Sequence, residues 1–203
     1  THDVQQLVAR GLVEELEVCG VEHAVATLRR SGWNIMAEDP VWPAGLSEGD
    51  LMPLQMAGLA ALHGAAFQRD RDRFDPDIAG QIERGFAMTG AQVAQALEAG
   101  HLIRRSFAAF MTRYDLLLCP TAPCVAWPID RLGPSHIGGV AVTPRAHAVF
   151  TPFFNHALTP AISIPCQRDT LPIGLQIVSR RGADRQVLRA ASEAERALAE
   201  MPS

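Results

Sequence analysis

Lysine is missing from this 203-residue chain: its 18 basic side chains other than histidine are all arginine. Guanidinium stays protonated and has no lone pair with which to accept a proton, so no amine base can come from this set. Paired serines are missing too, and the one Gly-Gly step, Gly138-Gly139, runs into Val140. Cysteine is sparse, at 19, 119, 124 and 166, and the closest two have the spacing of neither a zinc nor a redox C-x-x-C motif. Such cysteines read as small buried hydrophobes of a reduced, cytoplasmic protein, with no metal or redox role. The first residues show neither a basic nor an apolar signal region, and no apolar run approaches the roughly 20 residues that span a bilayer. Net charge of −4 with no basic run gives no electrostatic pull toward nucleic acid or anionic membrane.

What is present points to an α/β chain. Apolar residues recur at helical spacing over Val4 to Val18 and Val21 to Arg30, and Ser31-Gly32 closes the second helix before a strand-like run from Trp33 to Ala37. The prolines and glycines between Asp39 and Pro53 predict a loop. Leu51, Leu54, Met56, Leu59 and Leu62 mark a helical face, Asp75-Pro76 opens a further helix, and Val93, Leu97, Ile103, Phe107 and Phe110 define another from Ala91 to about Arg113. Residues 1–113 therefore read as a mainly helical outer or cap layer, and 114–203 as core strands, a pocket loop and a closing helix. The strands are Leu116 to Leu118, Ile162 to Ile164 and Ile173 to Val178. Leu116 to Leu118 is apolar at successive positions, which predicts an interior strand covered on both faces. The closing helix takes Asp184 as N-cap and Leu188, Ala191 and Leu198 as its inward face. Cys119 to Arg145, rich in proline and glycine, predicts a long loop of the kind found at binding sites.

Two stretches carry a more specific pattern. One is F-T-P-F-F-N-H-A-L-T-P-A-I-S-I-P-C from Phe150, followed by L-P-I-G-L-Q from Leu171 and a helix reaching Ala-x-x-x-Glu at Glu195; the other is Y-D-L-L-L-C-P-T-A-P from Tyr114. Together they resemble the C-terminal signature of the amidase signature hydrolases, and looser similarity extends back to about Val21. The resemblance implies the C-terminal part of an α/β/α sandwich with a central mixed β-sheet. It also implies carboxamide hydrolysis through an acyl-enzyme, with a nucleophilic Ser, a bridging Ser on a cis peptide and a Lys base. With no Lys and no paired Ser here, those groups are expected N-terminal to Thr1, and these residues alone are expected to be inactive.

By the same resemblance, Thr121, Pro123 and Trp127, then Phe150, Thr151, Phe154 and Asn155, wall the acyl side of the cleft. Taken residue by residue, Phe153 and Phe154 equally suit a core, Asn155 suits satisfying backbone groups at the turn before a strand, and Ser163 suits bonding backbone within a buried strand. The chain departs from the family at Leu158 and Thr170, where glycine is usual. It also has Gly80 and Ala148 where the family's amidotransferases read their substrate with Arg and Asp, which favours a free-standing amidase over an aminoacyl-tRNA substrate. The implied partners are the N-terminal half of the enzyme, a small-molecule amide and, through an open sheet edge, a second copy of the chain. Two other readings stand beside this one. The first is a self-contained hydrolase using Cys119, Cys124 or Cys166 with His147 or His156, or Ser135 with His136; the second is a noncatalytic, partner-binding chain of the same fold.

Overall fold

A computed structural model describes residues 15–167 and 171–199. The chain divides into two compact units: Pro43–Arg105 forms one, and the segments on either side of it, up to Trp42 and from Ser106, form the other. Part of the expected Val4 to Val18 helix, and Thr170, lie outside the described residues.

In the larger unit, α1 (Glu15–Arg30) carries Val21, Ala24 and Leu28 on its buried face. Its end is a Schellman motif: the Trp33 N–H donates to the Leu28 carbonyl at 3.0 Å and the Gly32 N–H to that of Arg29 at 3.1 Å. Gly32 supplies the positive φ of +95° which that cap requires. The strand expected from Trp33 to Ala37 does not form. The Arg29 guanidinium claims the Ile35 carbonyl from Nε and Nη2, at 3.3 and 3.0 Å, in place of a neighbouring strand. Further on, the Tyr114 hydroxyl and the Arg113 guanidinium both donate to Glu38, which holds that carboxyl below its ordinary range.

The sheet of this unit has three strands, β1 (Leu117–Pro120), β4 (Ala161–Gln167) and β5 (Ile173–Val178), in the order β1-β5-β4 and antiparallel throughout. β5 is the middle strand, so β1, expected in the interior, lies at an edge among the described residues. Its consecutive apolar residues are nevertheless covered: Leu117 and Cys119 are buried, and Leu116 and Leu118 pack against the aliphatic core on the other face. That core joins Ile164, Leu175 and Ile177 to α1 and to Ala190, Ala191 and Ala194 of the closing helix, α6 (Asp184–Ala199). The inward face of α6 is thus Val187, Ala190, Ala191 and Ala194. Leu188, expected inside, is 61% exposed because it lies one position off that stripe. Asp184 is a first-turn residue of this helix and not its cap. The expected long loop contains a hairpin, β2 (His136–Ile137) and β3 (Val140–Ala141), turned by Gly138 and Gly139 with φ of 54° and 79°. It leads to α5 (Thr151–Ala157).

In the smaller unit, α2 (Glu48–Arg69) starts five residues before Pro53, inside the segment expected to be a loop. Asp50 explains the early start: its carboxylate accepts from the Ser47 N–H at 2.7 Å and from the Ser47 hydroxyl at 2.8 Å, fastening the first turn and lowering the Asp50 pKa. Next comes α3 (Pro76–Phe86), opened by Asp75-Pro76 as expected; the Asp75 carboxylate caps it, accepting from the Asp77 N–H at 2.9 Å. The two helices pack closely because Gly85 has no Cβ; one built there would lie 2.1 Å from the Met56 carbonyl oxygen. Thr89 and Gln92 then cap one another at the start of α4 (Gly90–Phe110), whose last turn, from Ser106, belongs to the larger unit.

Candidate functional site

Strand alternation puts Cys119, Thr121, Ser163, Gly174 and Gln176 on the sheet face opposite the aliphatic core. Thr121 is held there by its own N–H, which donates to the Gly174 carbonyl at 2.9 Å and extends the β1–β5 ladder by one residue. Ser163 stands opposite Gln176 on the far side of β5. Across the central strand the hydroxyls of Thr121 and Ser163 meet at 2.6 Å. They can do so only because Gly174 lies beneath them: a Cβ at 174 would be 2.6 Å from the Ser163 oxygen and 2.7 Å from that of Thr121. Ser163, expected to bond backbone within a buried strand, is exposed and bonds a side chain 42 residues away.

Next to this pair the amide of Gln176 is buried, with only 4% of the residue exposed. Its Nε2 donates to the Cys119 sulfur at 3.3 Å, and the other end of the amide makes no hydrogen bond to the described residues. Burial pushes the Cys119 thiol up to about 12 and the Cys166 thiol up to about 11, so neither supplies a thiolate nucleophile at neutral pH. Ser135 and His136 approach to 3.2 Å but are exposed sequence neighbours at the start of β2, and among the described residues no carboxylate bonds the imidazole. Among the described residues no three His, Cys, Asp or Glu side chains gather as a metal site, and no helix is long and apolar enough to cross a membrane.

The expected wall residues fall into four groups. Thr121 belongs to the hydroxyl pair, with Pro123 buried just beyond it. Phe150 and Phe154 are each 1% exposed and present almost no surface to a ligand. Phe154 instead packs edge-on against Trp42 and Phe107, at 5.9 and 5.4 Å between ring centres. Thr151 opens α5, half-buried, while Asn155 is exposed and its side chain makes no hydrogen bond to the described residues; the Asn155 carbonyl accepts the Leu158 N–H at 3.1 Å. Trp127 stays within its own loop, donating to the Arg131 carbonyl at 3.1 Å and packing 4.8 Å from the His147 ring.

In the cluster around Phe154, Trp42 and Phe153, 5.0 Å apart, are half-buried. Trp42 was not among the candidates; a tryptophan between Pro40 and Pro43 was the available signal. Elsewhere an open groove of about 590 Å³ runs between Trp33, Leu116 and the Arg185–Glu193 side of α6, and it contains none of the expected residues.

A family model described as Amidase matches residues 13–188. The chain belongs to the amidase family. It is 27% identical over 186 residues to an acylamidase of Rhodococcus erythropolis, covering 90% of this chain and 38% of that one. It is 36% identical over 124 residues to a glutamyl-tRNA(Gln) amidotransferase chain of Moorella thermoacetica, covering 58% of this chain and 24% of that one. Among solved structures, a bacterial aryl acylamidase of the amidase signature enzymes superposes with a TM-score of 0.78 at 22% identity, over 94% of this chain and 44% of the other. An amidase crystal structure gives 0.81 at 20% identity over 92% and 43%. This amidase chain therefore has the α/β sandwich fold of the family, and it spans less than half the length of these relatives.

Proposed function

We propose that these residues are the C-terminal part of a carboxamide hydrolase, supplying sheet and pocket wall to a reaction whose nucleophile and base lie outside residues 1–203. One observation carries the reading: a chain that matches the Amidase model over residues 13–188 contains no lysine and no paired serines. The family resemblance assigns attack on the amide carbonyl to a Ser, proton transfer to a desolvated Lys and release to water. Arginine cannot take the Lys role. The remaining contribution of this chain is therefore to bind and orient, with Thr121 and Ser163 on the open sheet face, Trp127, Thr151 and Asn155 around the acyl side, and the buried Pro123, Phe150 and Phe154 supporting that wall from behind. No metal or organic cofactor enters the chemistry. The partner is the rest of the amidase domain, and Cys119 and Cys166, neither of them in a disulfide, suit a cytoplasmic setting.

Gly80 and Ala148, standing where the family's amidotransferases would place their Arg and Asp, favour a free-standing amidase over a tRNA-dependent one. The test is an amide-hydrolysis assay of the 203 residues alone and of the polypeptide or complex that completes the domain. Turnover only by the completed enzyme is expected. Turnover sensitive to serine reagents by the 203 residues alone sinks the assignment, as does a completed protein that hydrolyses no aryl or alkyl amide. The second outcome favours the noncatalytic, partner-binding chain.

A further inference from the structure

We propose that Thr121 and Ser163, over the floor made by Gly174 and beside Gln176, read the primary carboxamide group of a substrate, in preference to a secondary amide or a carboxylate. The proposal rests on the carboxamide-hydrolase reading and narrows it. Two bonded hydroxyls use one of their two protons on each other. The accepting hydroxyl keeps its own O–H to donate, and the donating hydroxyl keeps lone pairs to accept. The pair therefore offers one donor and one acceptor 2.6 Å apart.

A primary carboxamide carries the complementary couple on one edge, a carbonyl oxygen and the N–H on its own side, about 2.3 Å apart from standard bond lengths. Docked edge to edge, the four groups close a ring of hydrogen bonds in which each member polarises the next. A secondary amide in the usual trans form points its C=O and N–H in opposite directions and cannot engage both hydroxyls. A carboxylate has two acceptors and no donor, and leaves one hydroxyl facing a like acceptor.

Two further features fit a ligand at this place. Ser163 is exposed on a strand whose opposite face carries the buried Ile164, and the absent Cβ of Gly174 lets the two hydroxyls lie together across the central strand, where a planar group can meet both at once. Gln176, buried beside the pair, holds half of its amide without a hydrogen-bond partner among the described residues, so it can complete the recognition of a polar ligand.

The test is a titration of the ¹⁵N-labelled chain with benzamide, N-methylbenzamide and benzoate, followed by NMR at the Gly174 N–H and the Gln176 side-chain amide, with Leu28 and Ala194 amides reporting that the fold is intact. Benzamide is expected to give saturable shifts at both probes. Its Kd should rise about fivefold in Ser163→Ala and in Thr121→Val and stay within about twofold in Thr121→Ser, the scale of one lost hydrogen bond. N-methylbenzamide and benzoate should bind about fivefold more weakly than benzamide. Equal binding of benzamide and N-methylbenzamide overturns the proposal, as does absence of a saturable shift, or variants that bind like the parent. Should Thr121→Val or Ser163→Ala fail to fold, the ligand comparison on the parent chain and on Thr121→Ser still decides. A completed enzyme that hydrolyses no amide, while benzamide binds here, overturns the hydrolase reading and not this site. Hydrolysis of amides without any response at Gly174 does the reverse.

Discussion

On the sheet face toward α1 and α6, Ile164, Leu175 and Ile177 lie in a wholly apolar cluster and are at most 2% exposed, whereas the same strands turn a thiol, two hydroxyls, an amide and a glycine to the other side. The first face is a finished core. Its energy comes from removing apolar area from water, at roughly 25 cal/mol per Å². The second depends on geometry: one missing Cβ decides whether two hydroxyls touch. Stability and recognition are thereby separated across a layer one strand thick. Changes on the first face should move folding, and changes on the second should move binding.

The largest expected contrast is at Cys119, which lies on the polar face but is buried. With its thiol pushed up to about 12 from an ordinary 9.0, the thiolate fraction at pH 8 falls about a thousandfold. Alkylation of the native chain, followed residue by residue by mass spectrometry, should leave Cys119 unmodified on a timescale that fully labels the denatured chain. The linkage has a definite sign: the folded state holds its proton more tightly, so this contribution to stability is complete below pH 9 and is lost as pH rises from about 9 to about 12. Prompt labelling of Cys119 in folded protein would place it outside the core.

Next in size is Ile177→Ala, which empties part of the aliphatic face and should cost about 2–5 kcal/mol by denaturant titration. Ser163→Ala on the open face should change stability by less than about 1 kcal/mol. Equal costs would erase the distinction between the faces. Between them stands Gly174→Ala, whose new Cβ meets both hydroxyl oxygens well inside contact distance and should cost about 1–3 kcal/mol. Repeating that substitution where Thr121 and Ser163 are both alanine should recover most of the loss. Simple additivity would show that backbone strain, and not the hydroxyl pair, sets the cost.

How much of this was readable in advance differs between the faces. The alternation in Ile173-Gly174-Leu175-Gln176-Ile177 marks a strand with one apolar and one polar side, and the core residues of β5 follow from it. The Thr121–Ser163 contact does not follow, because it joins residues 42 apart through a register that only the folded sheet defines. Ser47-x-x-Asp50 was a readable helix start that Pro53 obscured, since a proline in the second turn costs one backbone hydrogen bond without preventing the helix. The slip from Val187 to Leu188 in α6 is a one-residue phase error, in a helix whose buried stripe is largely alanine and so carries a weak apolar signal.

The smallest predicted effect concerns the approach to β4, the strand that carries Ser163. Leu158 caps α5 in the left-handed region, with φ 57° and ψ 44°, and it alone among the described non-glycine residues has positive φ. The helix ends in a left-handed cap, the conformation glycine favours, and the Leu158 N–H bonds the carbonyls of Asn155 and Phe154. A Cβ in that conformation costs about 1–2 kcal/mol, partly offset because glycine has more freedom to lose on folding and because the leucine side chain, with the residue 48% exposed, still buries some surface. Leu158→Gly should raise stability by about 0.5–1 kcal/mol. If the cap serves only to aim β4, benzamide affinity at Gly174 should be unchanged in this variant. A loss of stability instead would mean that packing of the leucine outweighs its backbone strain, and that the polar face is held in place from outside the sheet.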